Sequence, residues 1–147
     1  MITLYTIGFT KKSAEQFFEL LKASHVQTLV DVRINNSSQL AGFAKGGDLV
    51  YFLKQIGNIG YRHNTDFAPT KELLSDYRAG KVNWLEYERI FNELMTKRAI
   101  NKRYEVADFD KCCFLCSEET PEHCHRRLLA EHLQKQDAEN VKIVHLV

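Results

Sequence analysis

The sequence lacks the features that mark membrane, secreted and repetitive proteins. It contains no run of about 18 apolar residues, the length that a membrane-spanning helix needs. Its start, MITLYTIGFT, has no basic flank followed by a long apolar stretch and so does not look like a signal peptide. No internal repeat, low-complexity stretch or linker is visible. We therefore expect a cytoplasmic protein without a membrane partner, whose thiols stay reduced.

The sequence also lacks an excess of one charge. Its 20 Lys and Arg residues against 19 Asp and Glu residues give a net charge of +1, whereas a protein that coats nucleic acid is usually more basic. A local basic patch is compatible with this balance, and KRAINKR at 97–103 is either such a patch or the solvated end of a helix. The 147 residues, 44% of them hydrophobic, fit one globular domain over 1–147.

Apolar segments typical of buried strands alternate with amphipathic segments typical of helices. Strands are predicted at 2–8, 28–33, 59–64, 111–117 and 141–147, and helices at 13–24, 48–57, 70–80, within 84–104 and at 121–136. This alternation predicts an α/β fold in a single domain, with a mostly parallel sheet and helices on both faces. The near-continuous apolar character of the strands agrees with that prediction.

Polar side chains follow several of these strands, at the edge where open α/β sheets gather their functional groups. Arg33 ends the second strand and Asn36 follows it, while His63 ends the third strand. Alternation places Asp31 on the same face as Arg33, and a buried charged pair must be paired or functional. Because a guanidinium suits phosphates and carboxylates, we predict that Arg33, Asn36 and His63 bind an anionic substrate.

Cys116 ends the fourth predicted strand, in the segment CSEETPEHCHRR (116–127). A cysteine between a strand and a helix is placed as in rhodaneses and cysteine phosphatases, where amides and the helix dipole stabilise a thiolate. The carboxylates of Glu118 and Glu119 disfavour the thiolate instead. The position of Cys116 at the strand end therefore favours a reactive thiol, whereas the acidic residues of the following loop disfavour one.

Cys124 is predicted in the first turn of the helix at 121–136, with Thr120 as its N-cap. His125 and Arg126 add positive charge beside it. Its side chain is open to three interpretations: a packed small hydrophobe, a reactive thiol or a metal ligand.

A zinc site would use Cys113, Cys116, Cys124 and His125. Against it, Cys113 and Cys116 point to opposite faces if the segment is a strand. A disulfide between Cys116 and Cys124 is a further interpretation, and in a reducing cytoplasm it would imply a redox role. The sequence leads us to assign no metal and no cofactor.

These residues favour an enzyme over other functions. Cys116 or Cys124 would be the nucleophile or redox thiol, and Glu118 or His125 the acid or base. Arg33 and Arg126 would hold an anionic substrate that contains a phosphate or is a nucleotide. The alternatives are a nucleic-acid or small-ligand binding module without catalysis, and a structural zinc or redox thiol site.

Five motifs along the chain form a recognisable pattern: YTIG at 5–8, LVDVR at 29–33, GF at 42–43, the Tyr61 region and Cys116-x-Glu118 followed by Cys124-His125-Arg126. With them the chain resembles, over essentially its whole length, a family called domain of unknown function 488. The resemblance implies a single α/β domain and a shared site at Arg33, Cys116, Glu118, Cys124, His125 and Arg126. LVDVR also resembles an early strand motif of rhodaneses.

The sequence departs from the family pattern in its loops. Many members have histidine where Phe9 stands, and proline and arginine where Asn36 and Gln39 stand. A glycine pair that often follows the third strand is replaced by Ala68-Pro69. These departures indicate a subgroup, so no substrate is carried over from other members.

Overall fold

The chain is described by a computed structural model that covers residues 1–37, 42–118 and 120–147. Gln39 and Glu119, both named above, lie outside these residues. The sheet is parallel throughout, with strand order β3-β2-β4-β1-β5. The strands are β1 (Ile2–Gly8), β2 (Thr28–Asp31), β3 (Gly60–His63), β4 (Cys112–Cys116) and β5 (Val141–Leu146).

The helices follow the predicted alternation. Their bounds are α1 (Ala14–Ala23), α2 (Gly46–Gly57), α3 (Lys71–Arg78), α4 (Trp84–Lys97), α5 (Ile100–Arg103) and α6 (His125–Gln134). The α/β fold with a parallel sheet is confirmed. None of the helices in the described residues is long and apolar enough to cross a membrane.

Each face of the sheet packs against its own helices. On β4, Phe114 and Cys116 belong to the core that α4 and α6 complete. Cys113 and Leu115 belong to the other core, which contains residues of α1 and α2. This two-residue alternation confirms that helices cover both faces, and that Cys113 and Cys116 point in opposite directions.

Two helix starts agree with the sequence. The Ser13 side chain accepts from the Gln16 amide at 3.1 Å, and the Gln16 side chain accepts from the Ser13 amide at 2.9 Å, which is a capping box at the predicted start of the helix. The Thr70 side chain accepts from the Leu73 amide at 3.0 Å at the start of α3. Local capping chemistry alone fixes both boundaries.

The predicted start of the last helix is wrong. The helix α6 begins at His125 and its N-cap is Cys124, in an extended conformation, so neither Thr120 nor Pro121 starts it. The Cys124 amide instead closes a separate turn onto the Pro121 carbonyl at 3.3 Å. This turn brings Cys124 back to the end of β4, which a helix running from 121 would not do.

The strand order places the carboxyl ends of β2, β4 and β1 side by side. Gly8 is paired with Cys116 and Asp31 with Leu115. A β-carbon on Gly8 would lie 1.5 Å from the Glu118 carbonyl oxygen and 2.9 Å from Arg126 Nη1. A glycine is therefore required at position 8 for the loop after β4 to cross the end of β1.

Candidate functional site

A cavity of about 510 Å³ opens where β2 and β4 end. It is lined by five of the residues that the sequence singled out: Arg33, Cys116, Glu118, Cys124 and His125. Phe9 and Pro69, at two of the positions that depart from the family pattern, also line it. A cavity of this size falls within the range of about 300–1,000 Å³ that is usual for small-molecule sites.

The sulfurs of Cys116 and Cys124 are joined as a disulfide at the wall of this cavity. Both cysteines are buried, at 1% and 3% exposure. The other two cysteines, Cys112 and Cys113, are free and buried in the strand. Burial raises the pKa of the Cys113 thiol well above its usual value, so this thiol is a core residue.

Arg126 contacts the disulfide through the sulfur of Cys116. Its Nη1 donates to the Glu118 carbonyl at 2.8 Å and lies 3.2 Å from Cys116 Sγ, and its Nε lies 3.4 Å from Thr6 Oγ1. It is fully buried, and burial lowers its pKa to about 10, so it stays cationic at neutral pH. A cation against a sulfur stabilises the thiolate that reduction would produce.

The Glu118 carboxylate makes no ion pair with Arg126. It is the backbone carbonyl of Glu118 that faces Arg126, while the Glu118 residue is exposed and lines the cavity. Among the described residues, no carboxylate lies within ion-pair distance of Arg126. Glu118 and Glu122 act on Arg126 only from a greater distance, where they offset part of the lowering of its pKa by burial.

His125 is a buried, neutral imidazole. Its Nε2 lies 2.7 Å from the Val32 carbonyl oxygen, and because a carbonyl only accepts, Nε2 carries the hydrogen and Nδ1 keeps a lone pair. Burial lowers the pKa of His125 to about 4. It can therefore accept a proton or bind a metal at neutral pH, but it has no proton to give as an imidazolium.

Arg33 is held by Asp31, as alternation predicted. Its Nε and Nη2 donate to the two carboxylate oxygens at 2.9 and 2.7 Å, and its Nη2 also donates to the Ala44 carbonyl at 2.7 Å. Tyr61 donates to the same carboxylate at 2.7 Å, and burial raises the pKa of Tyr61 to about 12. Nη1 of Arg33 has no hydrogen-bond partner among the described residues, which leaves its two N–H groups without an acceptor.

The structure does not bring Asn36 and His63 to this cavity. Asn36 donates to Tyr61 at 2.9 Å, and its carbonyl accepts from the Gly46 amide at 2.7 Å, so it braces the start of α2. The His63 ring lies 2.7 Å from the Arg33 carbonyl and faces a separate cavity of about 450 Å³. Substrate binding by these two residues stays a prediction.

The two arginines of the basic segment at 97–103 bind other parts of the protein. Arg98 donates to the carbonyls of Asp66 and Ala68 at 2.7 Å each. Arg103 pairs with the Asp66 carboxylate at 2.7 Å. Two of the four cations of this segment therefore stabilise the loop after β3.

An aromatic wall of the cavity was missed from the sequence. Trp84 stacks on His123 with ring centroids 4.9 Å apart and on Tyr87 at 5.1 Å, and Tyr77 contacts Tyr87 at 5.0 Å. Tyr77, Tyr87 and His123 line the cavity. The sequence predicted an amphipathic helix within 84–104, but not that its aromatic side chains border a cavity.

Comparison with known proteins identifies a family without an assigned chemistry. The family model described as Domain of unknown function DUF488 matches residues 13–133, a range that runs from the α1 cap to the end of α6 and includes both cysteines of the disulfide. No curated protein and no solved structure matches the chain. The chain belongs to the DUF488 family.

Proposed function

We propose that the chain is an enzyme in which Cys116 and Cys124 form a redox-active dithiol that acts on a small anionic disulfide. The observation that carries this proposal is the Cys116–Cys124 disulfide in the cavity wall, with Arg126 Nη1 3.2 Å from one of its sulfurs. A thiolate beside a cation and open to a ligand cavity is the arrangement that reactive cysteines need.

Cys116 is the attacking thiol because Arg126 contacts its sulfur. In the reduced protein its thiolate attacks one sulfur of a substrate R–S–S–R′, forming a Cys116–S–S–R bond and releasing R′–S⁻. The Cys124 thiolate then attacks the Cys116 sulfur, which releases R–S⁻ and forms the Cys116–Cys124 disulfide. Two electrons pass from the dithiol to the substrate, and an external thiol reductant restores the dithiol.

His125 and Glu118 move the protons of this exchange. The ligand atoms of Cys116, Cys124 and His125 lie within 4.8 Å of one another, so the neutral His125 ring is placed to take the proton of the Cys124 thiol. Glu118 is exposed at the cavity and exchanges protons between solvent and the departing thiolate. His125 works in the neutral state that its burial favours.

The cavity favours a substrate with both an anionic and a flat apolar part. The unpartnered Nη1 of Arg33 suits a carboxylate or phosphate. Tyr77, Tyr87 and Phe9 line the cavity, and a planar group packed against aromatic rings gains about 0.5–1.5 kcal/mol per pair. Arg126 acts on the sulfur in this proposal and not on the substrate.

The test uses dithiobis(nitrobenzoate), an aromatic disulfide that carries carboxylates and releases a coloured thiolate. We expect the protein, reduced with a phosphine, to react rapidly and to end as the Cys116–Cys124 disulfide. Cys124→Ser should stop at a mixed disulfide on Cys116, detectable by mass spectrometry, and Cys116→Ser should lose the fast phase. Cys113→Ala is the matched control and should react like the unchanged protein.

Substrate preference supplies a second readout. The second probe is dithiodipyridine, a neutral aromatic disulfide. The ratio of its rate to that of the carboxylate probe should be lower with the protein than with a free thiol in solution. The proposal is overturned if the thiols react only after unfolding, or if Cys116→Ser keeps the fast phase.

A further inference from the structure

We propose that the reduced form of this site binds zinc through Cys116 Sγ, Cys124 Sγ and a ring nitrogen of His125. One ligand atom of each of these residues lies within 4.8 Å of the others, and all three residues are buried. Two thiolates and an imidazole are ligands that zinc takes in proteins. The structure thus brings together three of the four residues that the sequence offered as zinc ligands.

The hydrogen bond of the His125 ring to the backbone fits this role. Ring nitrogens that bind metals commonly have a partner nitrogen that donates to a carbonyl, which fixes the tautomer and the ring orientation. His125 Nε2 makes this bond to the Val32 carbonyl at 2.7 Å. Its Nδ1 lone pair is therefore left for a ligand.

The three ligands come from well-defined backbone positions. Cys116 is the last residue of β4, Cys124 is the N-cap of α6 and His125 is its first helical residue. Cys113 is excluded because it packs in the core on the opposite face of the sheet. The donor set is therefore Cys₂His and not the four-residue set that the sequence suggested.

Three protein ligands leave one position of a tetrahedral ion open. Cys116, Cys124 and His125 all line the cavity, so this position faces a space that holds water or a small anion. Two thiolates offset the charge of a divalent ion, so the loaded site keeps the positive charge of Arg126 beside Cys116, which favours an anion at the open position. The occupant of the cavity would complete the coordination.

Metal binding and the disulfide use the same two sulfurs and exclude each other. When a small disulfide substrate takes two electrons from the thiolates, the Cys116–Cys124 bond forms, two substrate thiolates leave and the ion is released. This release step rests on the proposed function. Binding of the ion to the reduced site does not, because it requires only the ligands.

The experiment titrates the whole protein, reduced with a phosphine under argon, with Co²⁺ and then displaces it with Zn²⁺. We expect one Co²⁺ per chain, with thiolate-to-cobalt absorption in the near ultraviolet and visible bands typical of a tetrahedral ion. Cys124→Ser and His125→Gln should weaken binding by more than the about 10–100-fold that loss of an outer-shell partner costs. Cys113→Ala and His25→Gln, which alter a cysteine and a histidine outside the site, should bind like the unchanged protein.

Circular dichroism of each reduced variant shows which variants fold, so Cys124→Ser decides the matter if His125→Gln does not fold. The zinc proposal is overturned if the reduced protein shows no thiolate-to-cobalt band, or if Cys124→Ser keeps it. It is also overturned if the oxidised protein binds Co²⁺ as tightly as the reduced one. Disulfide exchange without metal binding sinks this inference alone, and metal binding without exchange sinks the proposed function alone.

Discussion

Arg33 and Arg126 are both buried beside the same cavity, yet their charges are balanced differently. Arg33 shares two hydrogen bonds with the carboxylate of Asp31. Arg126 contacts a carbonyl, a hydroxyl and a sulfur instead. The end of β2 is therefore a neutral pair, whereas the start of α6 carries a net positive charge in the protein interior.

The difference separates an arginine whose charge is already paired with a carboxylate from one whose charge acts on a sulfur. A buried charge with no counter-ion is costly, and it is tolerated where a charged form of a neighbour or a ligand provides the balance. For Arg126 that neighbour is Cys116, whose thiolate exists only after reduction. The comparison predicts that Arg33 matters for stability in every state, while Arg126 matters mainly for thiol reactivity.

The largest effect is expected from Arg33→Met. It leaves the fully buried Asp31 carboxylate without its cation, and breaking a buried pair in this way costs about 3–5 kcal/mol. Urea unfolding measures this change. The double variant Asp31→Leu with Arg33→Met should recover most of the loss, and a cost below about 1 kcal/mol for the single variant would contradict the pairing.

Stability should next depend on pH through His125, whose buried ring donates to the Val32 carbonyl. Burial lowers its folded-state pKa to about 4, from the ordinary value of 6.5, so the unfolded chain binds a proton that the folded chain does not. The free energy of unfolding is therefore undiminished above pH 6.5 and falls as the pH drops towards 4, by about 3 kcal/mol in all. His125→Gln should remove this part of the pH dependence, and an unchanged profile in that variant would refute it.

Gly8→Ala disturbs the surroundings of Arg126 and leaves those of Arg33 intact. The added carbon overlaps the Glu118 carbonyl, and the forced shift should cost about 1–3 kcal/mol and slow the reaction of Cys116. Gly47→Ala is the matched control, because no heavy atom within 4 Å meets its added carbon. Equal unfolding midpoints for the two variants would show that the close approach is not needed.

The smallest effect is expected from Arg126→Met, and it concerns the reactivity of one thiol. Arg126→Met should lower the rate of Cys116 alkylation at neutral pH by about tenfold, the change expected when a thiolate loses about 1.4 kcal/mol of charge stabilisation. The rate should recover at high pH, where the thiolate forms without help. The Asp31→Leu, Arg33→Met double variant should keep the original pH profile, and a shift of similar size there would end the distinction between the two arginines.

The sequence predicted features that depend on a regular period. Alternation along a strand has a fixed period of two, so the opposite directions of Cys113 and Cys116 and the shared face of Asp31 and Arg33 follow directly. Side-chain caps act over three residues, which is why the starts of α1 and α3 were also predicted. These are local rules that tertiary contacts did not override.

Features that depend on how a loop turns were not predictable in this way. Thr120 and Pro121 have the chemistry of a helix start, yet the chain turns once more so that Cys124 meets Cys116. His63 is the last residue of β3, but β3 is the edge strand of the sheet and His63 lines another cavity. Contacts between distant segments decided these cases, and a single sequence carries no periodic signal for them.

The placement of Cys124 as the N-cap of α6 has a practical consequence. Leu128, Leu129 and Leu133 of this helix fill the core beneath the sheet, so a bond at its first turn fastens a large part of the interior to β4. The melting temperature should therefore report on the oxidation state of the two sulfurs. A heating scan with and without a phosphine would then serve as a simple gauge of thiol status, in purified samples and in intact cells alike.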